Sequence, residues 1–319
     1  MGNLDRLVRN KDAGIALSAL LLFVGFSLSS ESFLSAYNLF NISRIIAFSA
    51  FVALAQAVVL VAGGMNLSVG AIGGLATIAT GYGIQVLGLP GWLAGSLALA
   101  IGCTAGLLNG LIITRLKINS FVTTLATLFV FTGLVHGFSE GYAYTEIPRG
   151  FTFLGRQKFL GLSNLFWVMA LVLLVTHYMF RHTVFGRRLL ATGGNLEAAR
   201  LSGINTDRML LSSHILSGGL AALAAVLWGS RMGSAQPATV KDWLIPSFAV
   251  AIVGGTGLAG GSISALGLLM GAFIIVLIKN GLVLLEANVY YEQAFLGSII
   301  LLAVVVSRLR DMYDERLER

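Results

Sequence analysis

The chain has 319 residues, 56% of them hydrophobic and 11% charged, with a formal net charge of +7. Soluble domains average about 25% charged residues, so a water-soluble globule of this size is excluded. The basic residues form no stripe and sit at the ends of apolar runs, which assigns the positive charge to membrane topology and not to nucleic acid.

Runs near the roughly 20 apolar residues needed to cross a bilayer core recur from end to end. They predict an all-α polytopic membrane protein, one transmembrane domain over 1–319, with about ten transmembrane helices. The first run, 14–30, follows Arg6, Arg9 and Lys11 and lacks a following Ala-x-Ala site. It is expected to stay as an uncleaved helix, and Arg6 stands where a myristoylation signal needs Ser or Thr. The next runs are 44–62, 67–86, 91–114, 120–137, 163–180, 208–229, 244–258, 262–284 and 291–307. The runs 67–86 and 244–258 adjoin the glycine-rich stretches GGMNLSVG (63–70) and GGTGLAGG (254–261). Either is a candidate for a broken or re-entrant helix, which membrane depth tolerates only where backbone is buried or lines water. The shared spacing of the two stretches fits a parallel repeat or a coincidence of glycine-rich sequence. Gly-x-x-x-Gly pairs at 91/95, 106/110 and 267/271 predict close helix packing, within the chain or across a dimer.

With the N-terminus in the cytoplasm, the inner segments hold fourteen Lys and Arg, the outer ones six, and Lys279 lies in a span, completing the 21 of the sequence. That asymmetry puts both termini and the 181–207 loop inside, and the 138–162 loop outside. Connecting loops of this kind often carry function.

Chemistry-bearing residues are few. In the inner loop, Glu197-Ala198-Ala199-Arg200-Leu201-Ser202-Gly203 predicts a short helix. Asn195 is its cap, Glu197 its first-turn anion and Gly203 its terminator. Such a helix suits a groove in a partner or a bed of lipid headgroups, with Arg187, Arg188 and Arg200 facing anionic lipid. Asn66, Ser68, Asn109, Thr124 and Asn280 are candidates for a translocation pathway, because polar groups at membrane depth often line one. Interhelical hydrogen bonding explains the amides equally well. Ser68 also fits a helix cap, and Thr123, Thr124 and Thr127 also fit bonding back to their own helix. Gly255 to Gly260 matches G-x-G-x-x-G without the preceding strand or later acid of a dinucleotide site, and no G-x-x-x-x-G-K-[ST] occurs. Any ATP therefore belongs to a partner. Cys103 is the single cysteine, so disulfide and cysteine metal sites are excluded. His136, His177, His182 and His214 have no metal-ligand spacing. No metal, cofactor or catalytic constellation is expected.

Glu-Ala-Ala-x-x-x-Gly in the inner loop resembles the signature of permease subunits of bacterial ABC importers, where it forms the coupling helix that docks on the ATPase. GGMNLSVG (63–70), GLLNGLIITRLKINSFVTTLATL (106–128), FGRRLLATGGNLEAARLSGI (185–204) and AIVGGTGLAGGSISALGLLMGAFIIVLIKNGLVLL (251–285) extend the resemblance over nearly the whole chain. They are similar to the ribose, xylose and autoinducer-2 type of permease. The resemblance implies a cytoplasmic ATP-binding subunit, a periplasmic sugar-binding protein and a second permease, as homodimer or heterodimer. It implies the bacterial inner membrane as the location and a monosaccharide or small polyol as cargo. Coupling would fall to Glu197, Ala198, Ala199, Arg200 and Gly203. Three positions depart from the family pattern: Asn66 replaces the usual Asp, Thr132 a common Arg, and Ala126 a common Gly. A branched-chain amino acid or nucleoside permease is the alternative within the superfamily. An ion-coupled transporter is the rival outside it, with Lys279 its main ionisable group.

Overall fold

The computed structural model describes residues 11–285 apart from 241–242 and 258–259, together with scattered positions between 291 and 305. The helices are α1 (Lys11–Ser29), α2 (Ala36–Val61), α3 (Val69–Gln85), α4 (Gly91–Leu116), α5 (Ser120–Ser139), α6 (Arg149–Arg156), α7 (Asn164–His182), α8 (Val184–Gly194), α9 (Leu196–Leu201), α10 (Thr206–Met232), α11 (Leu244–Val253) and α12 (Ala265–Leu284). A two-residue hairpin, β1 (Lys158–Phe159) with β2 (Leu162–Ser163), links α6 to α7. Among the described residues, six helices are long and apolar enough to cross a membrane: α2, α4, α5, α7, α10 and α12.

Nine of the ten expected spans overlap helices, but among the described residues only six of these are long and apolar enough to cross a membrane; the tenth, 291–307, lies largely outside the described residues. The eighth expectation, 244–258, is corrected. Helix α11 has ten residues and ends at Gly254, a length of about 15 Å that reaches through half a bilayer core. Its C-terminal carbonyls are met by the Gly254 and Gly255 amides in a tight turn. Helix α2 begins eight residues before the expected 44. Ser35 caps it through the Asn38 amide, and the Asn38 side chain donates to the Phe33 carbonyl at 2.9 Å. The polar residues of its first turns thus belong to the helix.

From Ile46 to Val61 nearly every side chain of α2 is buried, the pattern of a helix surrounded by others. Helices α7, α10, α11 and α12 pack around it. The tightest seam joins α4 to α10. A Cβ on Gly102 would meet the Gly218 carbonyl at 2.5 Å, and one on Gly106 would overlap the carbonyl of His214. Such contact depends on residues without side chains. The three Gly-x-x-x-Gly pairs all pack inside the chain: Gly91 on Phe151, Gly95 on Val226, Gly106 and Gly110 on α10, and Gly267 and Gly271 on the end of α11.

The bundle has two ends. One gathers 30–35, 86–90, 140–163 and 233–240; there Gln85 accepts from the Thr145 amide and Tyr144 pairs with Ala235. The other gathers 62–68, 117–119, 183–205, 254–257 and 260–264, so the described parts of both glycine-rich stretches lie at it.

Candidate functional site

The 62–68 break is held by a buried polar network. Asn66 donates from Nδ2 to Ser217 Oγ on α10 at 2.9 Å. Its Oδ1 accepts from the Ser68 amide at 3.0 Å and the Ser68 hydroxyl at 2.7 Å. Asn109 on α4 donates to that same hydroxyl at 2.8 Å. On the α5 side, the Leu67 amide donates to Thr124 Oγ1 at 3.1 Å and the Met65 amide to Ser120 Oγ at 3.1 Å. A chain leaving helix geometry in a membrane must have its amides satisfied internally, and α4, α5 and α10 each supply a partner.

The structure therefore brings together four of the five candidate pathway residues, Asn66, Ser68, Asn109 and Thr124, all fully buried. Their hydrogen bonds join the break to α4, α5 and α10. Ser68 precedes α3 without capping it through its side chain, and Thr124 also bonds back to Ser120 O at 2.7 Å. The fifth, Asn280, lies apart, in a reciprocal amide pair with Asn38 at 3.1 and 2.8 Å. Ser120 and Ser217 belong to the network and escaped the sequence reading, because single serines in apolar helices carry no distinguishing pattern. His214, one turn before Ser217, is fully buried with both ring nitrogens unpartnered among the described residues.

Below this network three backbone segments cross. The last carbonyl of α2, Val61 O, accepts the Gly261 amide at 3.0 Å. This satisfies one of the orphan acceptors of a helix end. Gly193, in the last turn of α8, fills the same junction. A Cβ there would overlap Val61 O and come within 2.8 Å of Gly261 N. Opposite it, a Cβ on Gly260 would meet Gly193 O at 2.7 Å. The two glycine-rich breaks and the 181–207 loop thus meet backbone against backbone.

Directly after α8, Asn195 caps α9, its Oδ1 accepting the Ala198 amide at 2.9 Å. The helix closes with the Ile204 amide on Ala199 O and Gly203 in the left-handed region at φ +79°. Arg200 is tied back to its own chain, to Thr206 Oγ1 at 2.9 Å and to Asp207 at 3.6 Å; Lys117 pairs with Asp207 at 2.6 Å. Ala198 and Ala199 differ in a way the sequence does not express. Ala198 is exposed, whereas Ala199 is buried against its own chain at 4%. Ala199 therefore packs against its own chain. The open edge is Glu197, Ala198 and Leu201, and Leu201 is 91% exposed. Leu201 was not among the residues singled out from the sequence, because one leucine in a six-residue helix carries no distinguishing pattern.

The family described as the permease component of the branched-chain amino acid transport system matches residues 38–304. A ribose import permease protein, RbsC, of Escherichia coli (strain K12) is 35% identical over 298 residues, covering 91% of this chain and 92% of its own. The RbsC protein of Bacillus subtilis (strain 168) is 36% identical over 297 residues, covering 92% of each. The L-arabinose ABC transporter permease protein AraH of Azospirillum brasilense is 33% identical over 303 residues, covering 93% of this chain and 88% of its own. No solved structure matches the chain. The chain belongs to this family of transport-system permease components, and it is a multi-pass membrane protein.

Proposed function

We propose that this family member carries a monosaccharide or related small polyol into the bacterial cytoplasm, as the permease of a binding-protein-dependent ABC importer. Relatives named for ribose and arabinose, similar over nearly their whole length, support the cargo class. In this reading a cytoplasmic ATPase docks on the open edge of α9. A soluble binding protein delivers solute at the end that carries the 138–162 loop, and a second permease completes the channel. Both termini lie in the cytoplasm of a cell whose inner membrane holds the assembly.

The observation that carries the mechanism is the backbone junction at Gly193. A helix pushed at Leu201 shifts the end of α8, and the end of α8 touches both breaks, at Val61 and at Gly260–Gly261. No side chain intervenes to absorb the motion, so displacement passes directly to the helices that flank the path. Packed interfaces respond to such small shifts by switching between discrete arrangements.

The test is uptake of labelled ribose, arabinose, xylose and leucine by cells that carry the chain with its partner subunits and by matched cells lacking only this chain. Loss of a sugar's uptake is the expected result. Loss of leucine uptake alone would move the assignment to amino acid transport.

A further inference from the structure

Two arginines meet at the end of the bundle that carries the 138–162 loop. Arg44 lies two turns inside α2, and Arg231 sits in the last turn of α10. Both donate to one neutral acceptor, Asn41 Oδ1, with Arg44 Nη2 at 3.0 Å and Arg231 Nη2 at 3.4 Å. Arg44 lies over the Phe40 ring, its Cζ 4.6 Å from the centroid, and Arg231 over the Trp228 ring at 4.9 Å. Neither has a carboxylate partner among the described residues. Arg44 Nε and Arg231 Nη1 are shielded from solvent with no acceptor among the described residues.

Two like charges sharing one neutral oxygen repel, the more so where water is partly excluded. Both residues are half-buried. A third arginine sharpens the imbalance, since Arg156 donates to the Arg231 and Met232 carbonyls at 3.2 and 2.8 Å and adds no anion. The aromatic rings fix each guanidinium from one face and leave its edge for a ligand. The Ser163 amide, at the start of α7, donates to Ser43 Oγ at 3.1 Å. Arg44 is therefore level with the start of α7 and the end of α10, the ends of two helices long and apolar enough to cross a membrane.

We infer that Arg44 and Arg231 form an oxyanion site that takes a phosphate group at the membrane interface, from a phospholipid headgroup or from free phosphate. A phosphate accepts hydrogen bonds through several oxygens and bridges two planar forks. A sugar hydroxyl would supply another neutral acceptor, which Asn41 already is. Placing the site on the outer leaflet rests on the topology proposed above; the phosphate chemistry does not.

The test is the melting temperature of the delipidated full chain in detergent. It is titrated with sodium phosphate, and separately with dihexanoylphosphatidylglycerol, against sodium chloride at matched ionic strength. Wild type is expected to be stabilised by at least one of them, and Arg44→Gln/Arg231→Gln to need about tenfold more ligand or to lose the response. Arg115→Gln, at the other end of the bundle, should respond like wild type. In chloride the double variant should melt no lower than wild type, because the repulsion is gone. If it does not fold, Arg231→Lys carries the same test, keeping the charge and losing the fork. A response to inorganic phosphate assigns the free ion, and a response to the lipid alone assigns the headgroup. No response to either ligand in wild type, or an unchanged response in the variants, overturns the site. If wild type responds to neither and the double variant loses delivery from a soluble binding protein, the charges serve a carboxylate on that protein and the phosphate site is wrong.

Discussion

Gly193 and Gly194 are neighbours in one turn of α8, yet a methyl group should be ruinous at the first and harmless at the second. Helix propensity favours Ala over Gly by about 1 kcal/mol at either position. Sterics then separate them. At Gly194 a Cβ would lie 3.9 Å from Gly261 Cα, an ordinary contact. At Gly193 it would overlap the Val61 carbonyl, so the segments must part by on the order of 1 Å, an overpacking penalty of about 1–3 kcal/mol. Parting them also breaks the bond from Gly261 N to Val61 O, and an orphaned buried group costs about 1–3 kcal/mol more. The net penalty for Gly193→Ala is thus about 1–5 kcal/mol, against coupling energies of about 1–3 kcal/mol between distant sites. We expect Gly193→Ala to insert and purify normally, but to lose most solute uptake in cells and most binding-protein stimulation of the partner ATPase in proteoliposomes. Gly194→Ala should match wild type in both assays. Equal effects at the two positions, or wild-type uptake by Gly193→Ala, would refute the backbone-contact mechanism.

The open edge of α9 gives a second contrast. Leu201→Glu should abolish co-purification with the ATPase subunit at unchanged expression, whereas Ala199→Trp should lower expression itself, since Ala199 is buried in its own chain. Asn66→Ala removes three hydrogen bonds, to Ser217 and twice to Ser68. At about 0.6–2 kcal/mol each, this should appear as a clear drop in melting temperature in detergent. Asn280→Ala removes only the pair with Asn38 and should give a smaller drop. For topology, cysteines at Tyr142 and Ser202 in a Cys103→Ala background should label from opposite sides of the membrane. Both positions are exposed, unlike Ser139, which is buried at 4%. Labelling of both from the periplasm would sink the assigned orientation.

Much of the fold was legible in the sequence because apolar run length and glycine breaks are local signals. The ends of α4, α5 and α7 fell within two residues of expectation for that reason. The start of α2 did not, because Asn38, Asn41 and Arg44 look like loop residues until their partners in other segments are known. Residue 258 belongs to an apolar run, but Gly254 and Gly255 stop α11 before it. The junction at Gly193 was invisible, since its members, Val61, Gly193 and Gly261, are separated by more than a hundred and by more than sixty positions. Ala198 and Ala199 are equally opaque, because a six-residue helix is too short for periodicity to reveal its buried side.

Asn66 shows how a departure from the family pattern is absorbed. Where an aspartate is usual, the amide here donates to Ser217 and accepts from Ser68 at the same time. A carboxylate only accepts, so Ser217 would have to turn its hydroxyl toward it. With the amide, each link of the chain Asn109 to Ser68 to Asn66 to Ser217 joins a donor to an acceptor, Asn109 Oδ1 is left without a partner among the described residues, and no charge is buried there. Thr132 lies eight residues along α5 from Thr124, which touches the break at Leu67, and eight residues of helix span about 12 Å. Thr132 thus sits at a separate level of α5 from the break, and the amide at residue 66 leaves the break neutral. Asn66 carries no negative charge, and its hydrogen bonds hold α10 and the break together, with α4 joined through Ser68.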